Sequence, residues 1–152
     1  MEIRKALPAD LPIVRDIVQE TIRTVYPHYY PAGAVAFFQA HHSDNSMCRD
    51  IADGIVWLGF EGAQAVGTVT IRENEILRLF VLPQYQKRGY GRALLTFAEA
   101  EISRHYPEIL IDASLPAKAI YLKHGYRECG YHTLPAGEDF LCYDQMVRKA
   151  DP

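Results

Sequence analysis

Apolar residues early in the chain recur at helical spacing: Ile13, Val14, Ile17, Val18, Ile22 and Val25 make one stripe. Asp10 stands at an N-cap position and Pro12 is tolerated in a first turn, so the stripe predicts a helix from about residue 11. Residues 2–6 before it read as a short strand. Prolines at 27 and 31 break the helix, and Tyr26-Pro27-His28-Tyr29-Tyr30 leads to a second helix over about 34–40. From His41 to Asp44 the chain is polar and predicts a solvated loop.

Strand patterns follow. Residues 55–61 and 65–72 are rich in Val, Ile, Trp and Thr and are separated by Gly62-Ala63-Gln64, which predicts a hairpin. A second turn at Asn74 leads into 76–82, apolar on both faces except at Arg78, as suits a central strand. Leu94, Leu95, Ala98 and Ile102 mark a helix that stops before Pro107. Residues 109–111 predict a strand and 117–123 a helix ended by Gly125 in a left-handed cap. Two terminal strands, 126–133 and 140–148, are joined through Pro135-Ala136-Gly137. The order is β-α-α-β-β-β-α-β-α-β-β. It predicts an α+β fold of α/β three-layer type, with a mixed central sheet flanked by helices and one domain over residues 1–152.

Composition narrows the function classes. Sixteen basic and 19 acidic residues give a net charge of -3, which argues against a general nucleic-acid binder. The three cysteines, Cys48, Cys129 and Cys142, form no CxxC pair and point to reduced thiols rather than a disulfide framework. No apolar run is long enough for a signal peptide or a membrane span. The expectation is a soluble cytoplasmic protein with no membrane partner.

The segment from Leu79 to Leu95 carries the chemistry. An apolar strand containing Leu79, Phe80 and Val81 ends at Pro83, passes through Gln86-Lys87-Arg88-Gly89-Tyr90-Gly91-Arg92, and opens directly into a helix. The first amides of such a helix lack intrahelical partners and its dipole is positive at that end, so it suits phosphate. Gly89 and Gly91 allow close backbone approach, and Lys87, Arg88 and Arg92 add charge-assisted contacts. The Rossmann glycine pattern fails at Leu94, and no GK[ST] of a Walker loop is present. A surface turn that merely needs its glycines remains the plain alternative.

Gln86-x-x-Gly89-x-Gly91, between an apolar strand and a helix, resembles the pyrophosphate motif Q/R-x-x-G-x-G/A of the GNAT superfamily of N-acetyltransferases. The resemblance implies the GNAT fold and acetyl-CoA as acyl donor, with its pyrophosphate on the amides from Gln86 to Arg92. Its pantetheine arm would pair with the backbone of Leu79, Phe80 and Val81. Tyr121-x-x-x-Gly125-Tyr126 resembles the superfamily's Y-x-x-x-G-F/Y ending. That resemblance makes Tyr121 the residue that protonates, or hydrogen-bonds to, the departing thiolate. Ser114 stands where the superfamily often has an Asn near the pantetheine. Glu75 occupies the place of the glutamate base in some GNAT histone acetyltransferases, with Glu73 as its substitute should the register differ.

These residues imply direct attack by a primary amine of a small molecule or protein in a ternary complex, with no metal. Tyr26, Tyr29 and Tyr30 lie in the link that commonly lines the GNAT acceptor pocket, and aromatic faces attract cationic amines. His41, His42 and Asp44 lack metal-site spacing. A non-catalytic acyl-CoA-binding or sensor domain is the rival from another class. The resemblance is also compatible with a homodimer.

Overall fold

The computed structural model describes residues 1–151. The strands are β1 (Glu2–Lys5), β2 (Val56–Glu61), β3 (Gln64–Arg72), β4 (Glu75–Val81), β5 (Glu108–Ala113), β6 (Arg127–Ala136) and β7 (Asp139–Lys149). The helices are α1 (Leu11–Val25), α2 (Ala32–His41), α3 (Asp44–Ala52), α4 (Tyr90–Ser103) and α5 (Leu115–Lys123). The strands form one seven-stranded sheet in the order β1-β2-β3-β4-β5-β7-β6. All neighbours are antiparallel except β4 and β5, so the sheet is mixed as expected.

Two apolar layers sandwich the sheet. On one face Val14, Ile17, Val18 and Ile22 of α1 pack with Ala34, Met47, Leu58, Phe80 and Leu141. On the other, Leu94, Leu95, Ala98 and Ile102 of α4 pack with Val69, Ile76, Ile109, Ile111, Met146 and Tyr121 of α5. Helix α4 lies so close to β3 that a Cβ on Gly67 would come within 2.7 Å of Leu94 Cδ1 and 2.8 Å of the Phe80 carbonyl oxygen. Ile13, expected in the buried stripe, is exposed at the rim.

Four local expectations need correction. The polar stretch after His41 is not simply a loop. Ser43 caps α3 by accepting from the Ser46 amide at 3.2 Å, and Met47, Asp50 and Ile51 face inward. Asp10 does not cap α1; its carboxylate takes the Leu7 amide at 2.8 Å and Arg4 at 2.7 Å. Helix α5 starts two residues earlier than predicted, with Pro116 in its first turn. β6 continues through Pro135 to Ala136, which its place at the sheet edge permits.

β4 sets the stage for function. Its parallel pairing with β5 is confined to Glu75↔Leu110 and Ile76↔Ile111. On its other side β4 pairs with β3, and the register steps from Ile71↔Ile76 to Thr70↔Arg78, leaving Leu77 as an extra residue. A bulge of this kind bends the strand that carries it. β4 therefore parts from β5 and leaves a gap in the middle of the sheet.

The same strand buries a charge. Arg78 donates to Asp50 Oδ2 at 2.5 Å, Ser46 Oγ at 2.8 Å, His42 Nδ1 at 3.1 Å and Thr70 Oγ1 at 3.3 Å. Asp50 also accepts from Arg72 at 2.7 Å. These contacts anchor α3 and the end of α2 over β4. Removing one partner of a buried pair strands the other, at a cost of about 3–5 kcal/mol. Asp50→Ala should lower the urea midpoint accordingly with little change in slope. A loss below about 1 kcal/mol would show that the network does not hold α3 in place.

Candidate functional site

Two cavities meet at the gap. The larger, about 410 Å³, runs between α1, β4, the turn after β4 and α5. Its lining includes Leu79, Phe80, Val81, Gln86, Lys87, Gly89, Gly91, Arg92, Ser114, Ile120 and Tyr121. The smaller, about 200 Å³, is a pit on the α2 side, lined among others by Phe37, His41, His42, Arg78, Asp112, Leu134 and Tyr143. Tyr26, Leu79, Phe80, Ser114, Ala117 and Tyr121 line both and mark the junction.

The cleft is built from backbone as much as from side chains. The Val81 carbonyl turns toward the open edge of β4, where Gln86 Nε2 donates to it at 3.0 Å and Thr21 Oγ1 lies 3.2 Å away. Strand alternation turns the Leu79 amide and carbonyl toward the same edge, beyond the last β5 pair. Gly89 caps α4 with φ of +89°, a conformation that favours glycine, and its carbonyl accepts from the Ala93 amide at 3.0 Å. Helix α4 thus presents its first amides to the cleft, beside Lys87 and Arg92.

The sequence-predicted residues divide. Leu79, Phe80, Val81, Gln86, Lys87, Gly89, Gly91, Arg92 and Ser114 converge on the cleft. Arg88 and Tyr90 lie outside it: the Arg88 guanidinium sits 3.2 Å from Glu61 and over the rings of Tyr85 and Tyr90. Tyr26 reaches the junction, and Tyr29 is on the rim of the larger cleft rather than in the pit. Tyr30 lines neither cavity. It packs against Tyr26 and Phe38, and its hydroxyl accepts from the Leu115 amide at 2.7 Å at the start of α5. Burial pushes its hydroxyl up to about 12, with Tyr26, Cys142 and Asp144 adding to the shift and the Leu115 contact opposing it.

Tyr121 is buried at the junction, and burial, together with the nearby Tyr26, holds its hydroxyl protonated far above neutrality. Glu75 lies on the pit face of β4 but outside the pit lining. Asp112, two residues beyond Leu110 on β5, faces the same way and does line the pit. Neither carboxylate has a hydrogen bond or ion pair among the described residues. Burial raises the pKa of both; Asp112 adds repulsion at Glu75, while Arg72 opposes the shift there and His132 and His41 oppose it at Asp112.

Asp112, His42, Phe37 and Tyr143 were not singled out by sequence as site residues. A charge directly after the apolar triplet Ile109-Leu110-Ile111 is the one signal that points to Asp112. His42, expected in a solvated loop, is buried at the end of α2 because Arg78 donates to it.

A cleft of backbone amides and cations opening onto an acidic, aromatic pit across a parted sheet is the architecture of an acyl-transfer fold. The acetyltransferase (GNAT) domain model matches residues 25–145. An uncharacterized N-acetyltransferase of Escherichia coli, YafP, is 30% identical over 129 residues, covering 84% of this chain and 81% of that protein. Among solved structures, a GCN5-related N-acetyltransferase from Rhodopseudomonas palustris superposes with a TM-score of 0.89 at 20% identity, over 97% of this chain and 94% of that one. The PaiA N-acetyltransferase of Thermoplasma acidophilum, solved with coenzyme A, gives 0.77 at 21% identity, over 97% and 98%. The chain belongs to the GNAT acetyltransferases, and its fold is the GNAT fold.

The two raised carboxylates predict a pH-dependent stability change. A carboxyl whose folded pKa lies above its unfolded value destabilises the fold while ionised, and the penalty fades as pH falls below both values. Asp112→Asn should therefore raise the thermal midpoint at pH 8 and lose that advantage toward pH 4. An advantage that is constant with pH would remove the electrostatic explanation.

Proposed function

We propose that this chain transfers the acetyl group of acetyl-CoA to a primary amine of a small molecule or protein, by direct attack in a ternary complex. One observation carries the reading: the parted β4 edge joins the amide-presenting start of α4 to a pit lined by the unpaired Asp112 carboxylate, and Tyr121 sits where they meet. The coenzyme A complex of the similar PaiA protein supports the choice of donor.

The residues fit such a donor. The α4 amides after Gly89, with Lys87 and Arg92, provide the charge-assisted donors that a pyrophosphate needs. Leu79 offers a free amide and carbonyl to an arm lying as an extra strand, and Phe80, Ile120 and Pro116 wall that arm from water. When bound, acetyl-CoA supplies the thioester carbonyl that the amine attacks. Asp112, with Glu75 behind it on the same sheet face, draws an ammonium into the pit and takes its proton directly or through water. The Tyr121 hydroxyl keeps its proton at neutral pH and donates it, or a hydrogen bond, to the leaving sulfur. Much of the rate is positional, because cleft and pit hold donor and acceptor on either side of one junction.

Two substitutions test the reading. Gly89→Glu puts a carboxylate beside the proposed phosphates and should weaken acetyl-CoA binding about 100-fold, since like charges brought together cost several kcal/mol. The Cβ meets no atom within 4 Å, but the φ of +89° strains any side chain there. Gly89→Ala, which carries the same strain without the charge, is therefore the control and should keep most of the affinity. Unchanged affinity by calorimetry removes the cleft assignment. Tyr121→Phe should slow acetyl transfer about 100-fold or more while leaving acetyl-CoA affinity nearly intact. Turnover at the parent rate would make Tyr121 a packing residue.

A further inference from the structure

The pit holds a polar group that the acetyl-transfer reading does not use. His42 is only 7% exposed, yet its ring forms part of the pit wall. Its ring meets Phe80 in a T-shaped contact with centroids 5.6 Å apart, and Phe80 lines both cavities, so His42 is one side chain from the junction.

The tautomer follows from its neighbour. Arg78 Nε points at His42 Nδ1 from 3.1 Å, and a guanidinium can only donate. Nδ1 must therefore present its lone pair, and a neutral ring must carry its proton on Nε2. The ring is kept neutral from every side. Burial disfavours the charged ring most, Arg78 on β4 and His41 on α2 oppose a second positive charge, and Asp50 and Ser46 of α3 are engaged by Arg78. Together these hold the imidazole pKa at about 3.

Nε2–H has no hydrogen-bond partner among the described residues. Among the described residues the sealed side-chain polar atoms without a partner are Glu99 Oε1 and Tyr126 Oη, and His42 Nε2 is not one of them. With Nδ1 held against Arg78 and the ring in the pit wall, Nε2–H is the donor that this nearly buried ring has left to offer the pit. Such a group recognises an oxygen, and leaving it unpaired in a closed complex costs about 1–3 kcal/mol. Across the β4–β5 gap stands Asp112, which suits the opposite end of a polar ligand. The pit is about 200 Å³, below the roughly 300–1,000 Å³ of sites that enclose drug-sized ligands.

We infer that the pit selects a dipolar amine, with His42 Nε2–H donating to an oxygen of the acceptor while Asp112 receives its ammonium. The acceptor class is an α-amino group beside a carbonyl or carboxylate oxygen, as in an amino acid, its amide or a peptide N-terminus. An alkylamine offers nothing to His42, and the second ammonium of a diamine cannot accept from it. His42 is a specificity residue here and not a base, because its accessible nitrogen already holds a proton. The inference rests on the acetyltransferase reading and deepens it.

The test compares kcat/KM for alaninamide, alanine, the tripeptide Ala-Gly-Gly, propylamine and 1,4-diaminobutane, with acetyl-CoA affinity measured in parallel. Wild-type protein should prefer alaninamide over propylamine by about 10-fold or more, the worth of one well-placed hydrogen bond. His42→Phe should collapse that ratio by about the same factor through a higher KM for alaninamide. A purely structural role for His42 would lower both amines together, and that result overturns the inference. Equal or better use of propylamine or the diamine by wild type overturns it as well. Ala-Gly-Gly exceeding alanine and alaninamide would place the source at peptide N-termini, and the reverse at free amino acids. Failure to bind acetyl-CoA would instead bring down the acetyltransferase reading and the inference with it. Long-range ¹H–¹⁵N spectra of the histidine rings give a check independent of turnover. At pH 6 His42 should be the neutral Nε2–H tautomer; an Nδ1–H form or an imidazolium would overturn the assignment.

Discussion

The structure depends on a parallel pairing that stops early. β4 and β5 hold together at Glu75↔Leu110 and Ile76↔Ile111 and nowhere further along. Peptide groups in a protein interior need partners, so a gap through the middle of a sheet stands only if something else satisfies its edges. Here Gln86 and Thr21 serve the Val81 carbonyl, and the cleft leaves Leu79 free for a strand-like ligand. The extra residue at Leu77 bends β4 away. The α4 start and the acidic pit then fall on opposite sides of the opening.

Holding such a strand in place takes an unusual anchor. Arg78 is a cation on a central strand, and it is tolerated because Asp50, Ser46, Thr70 and His42 saturate its donors. The price is that α3 and the end of α2 are tied to the gap. The same tie fixes His42, so one buried guanidinium both braces β4 and decides which ring nitrogen faces the pit. Stability and acceptor choice are linked through it.

How much of this could be read from sequence varies by element. The strands and α4 were legible because their periodicity is strong and their ends are marked by Gly62, Pro83 and Pro107. The cleft was legible because Gln86, Gly89 and Gly91 are local in the chain, with spacing set by the turn they make. Helix α3 was not, since Asp44-Asn45-Ser46-Met47-Cys48-Arg49-Asp50 reads as polar until Arg78 supplies a buried partner for Asp50. Asp112 and His42 were missed for a related reason: they are 70 residues apart and face the same pit only through the sheet order. Tyr30 looked like its neighbours Tyr26 and Tyr29, but the Leu115 amide, 85 residues on, turns it into a support for α5.

The central claim is that the open edge of β4 and the start of α4 receive the acyl donor through their backbone. Amide ¹H–¹⁵N spectra recorded with and without acetyl-CoA test it most directly. The Leu79 amide and those of Tyr90, Gly91 and Arg92 should shift and gain protection from exchange on adding acetyl-CoA, and ATP at the same concentration should leave Leu79 unmoved. Acetyl-CoA shifts that spare Leu79 and the α4 start would contradict the account.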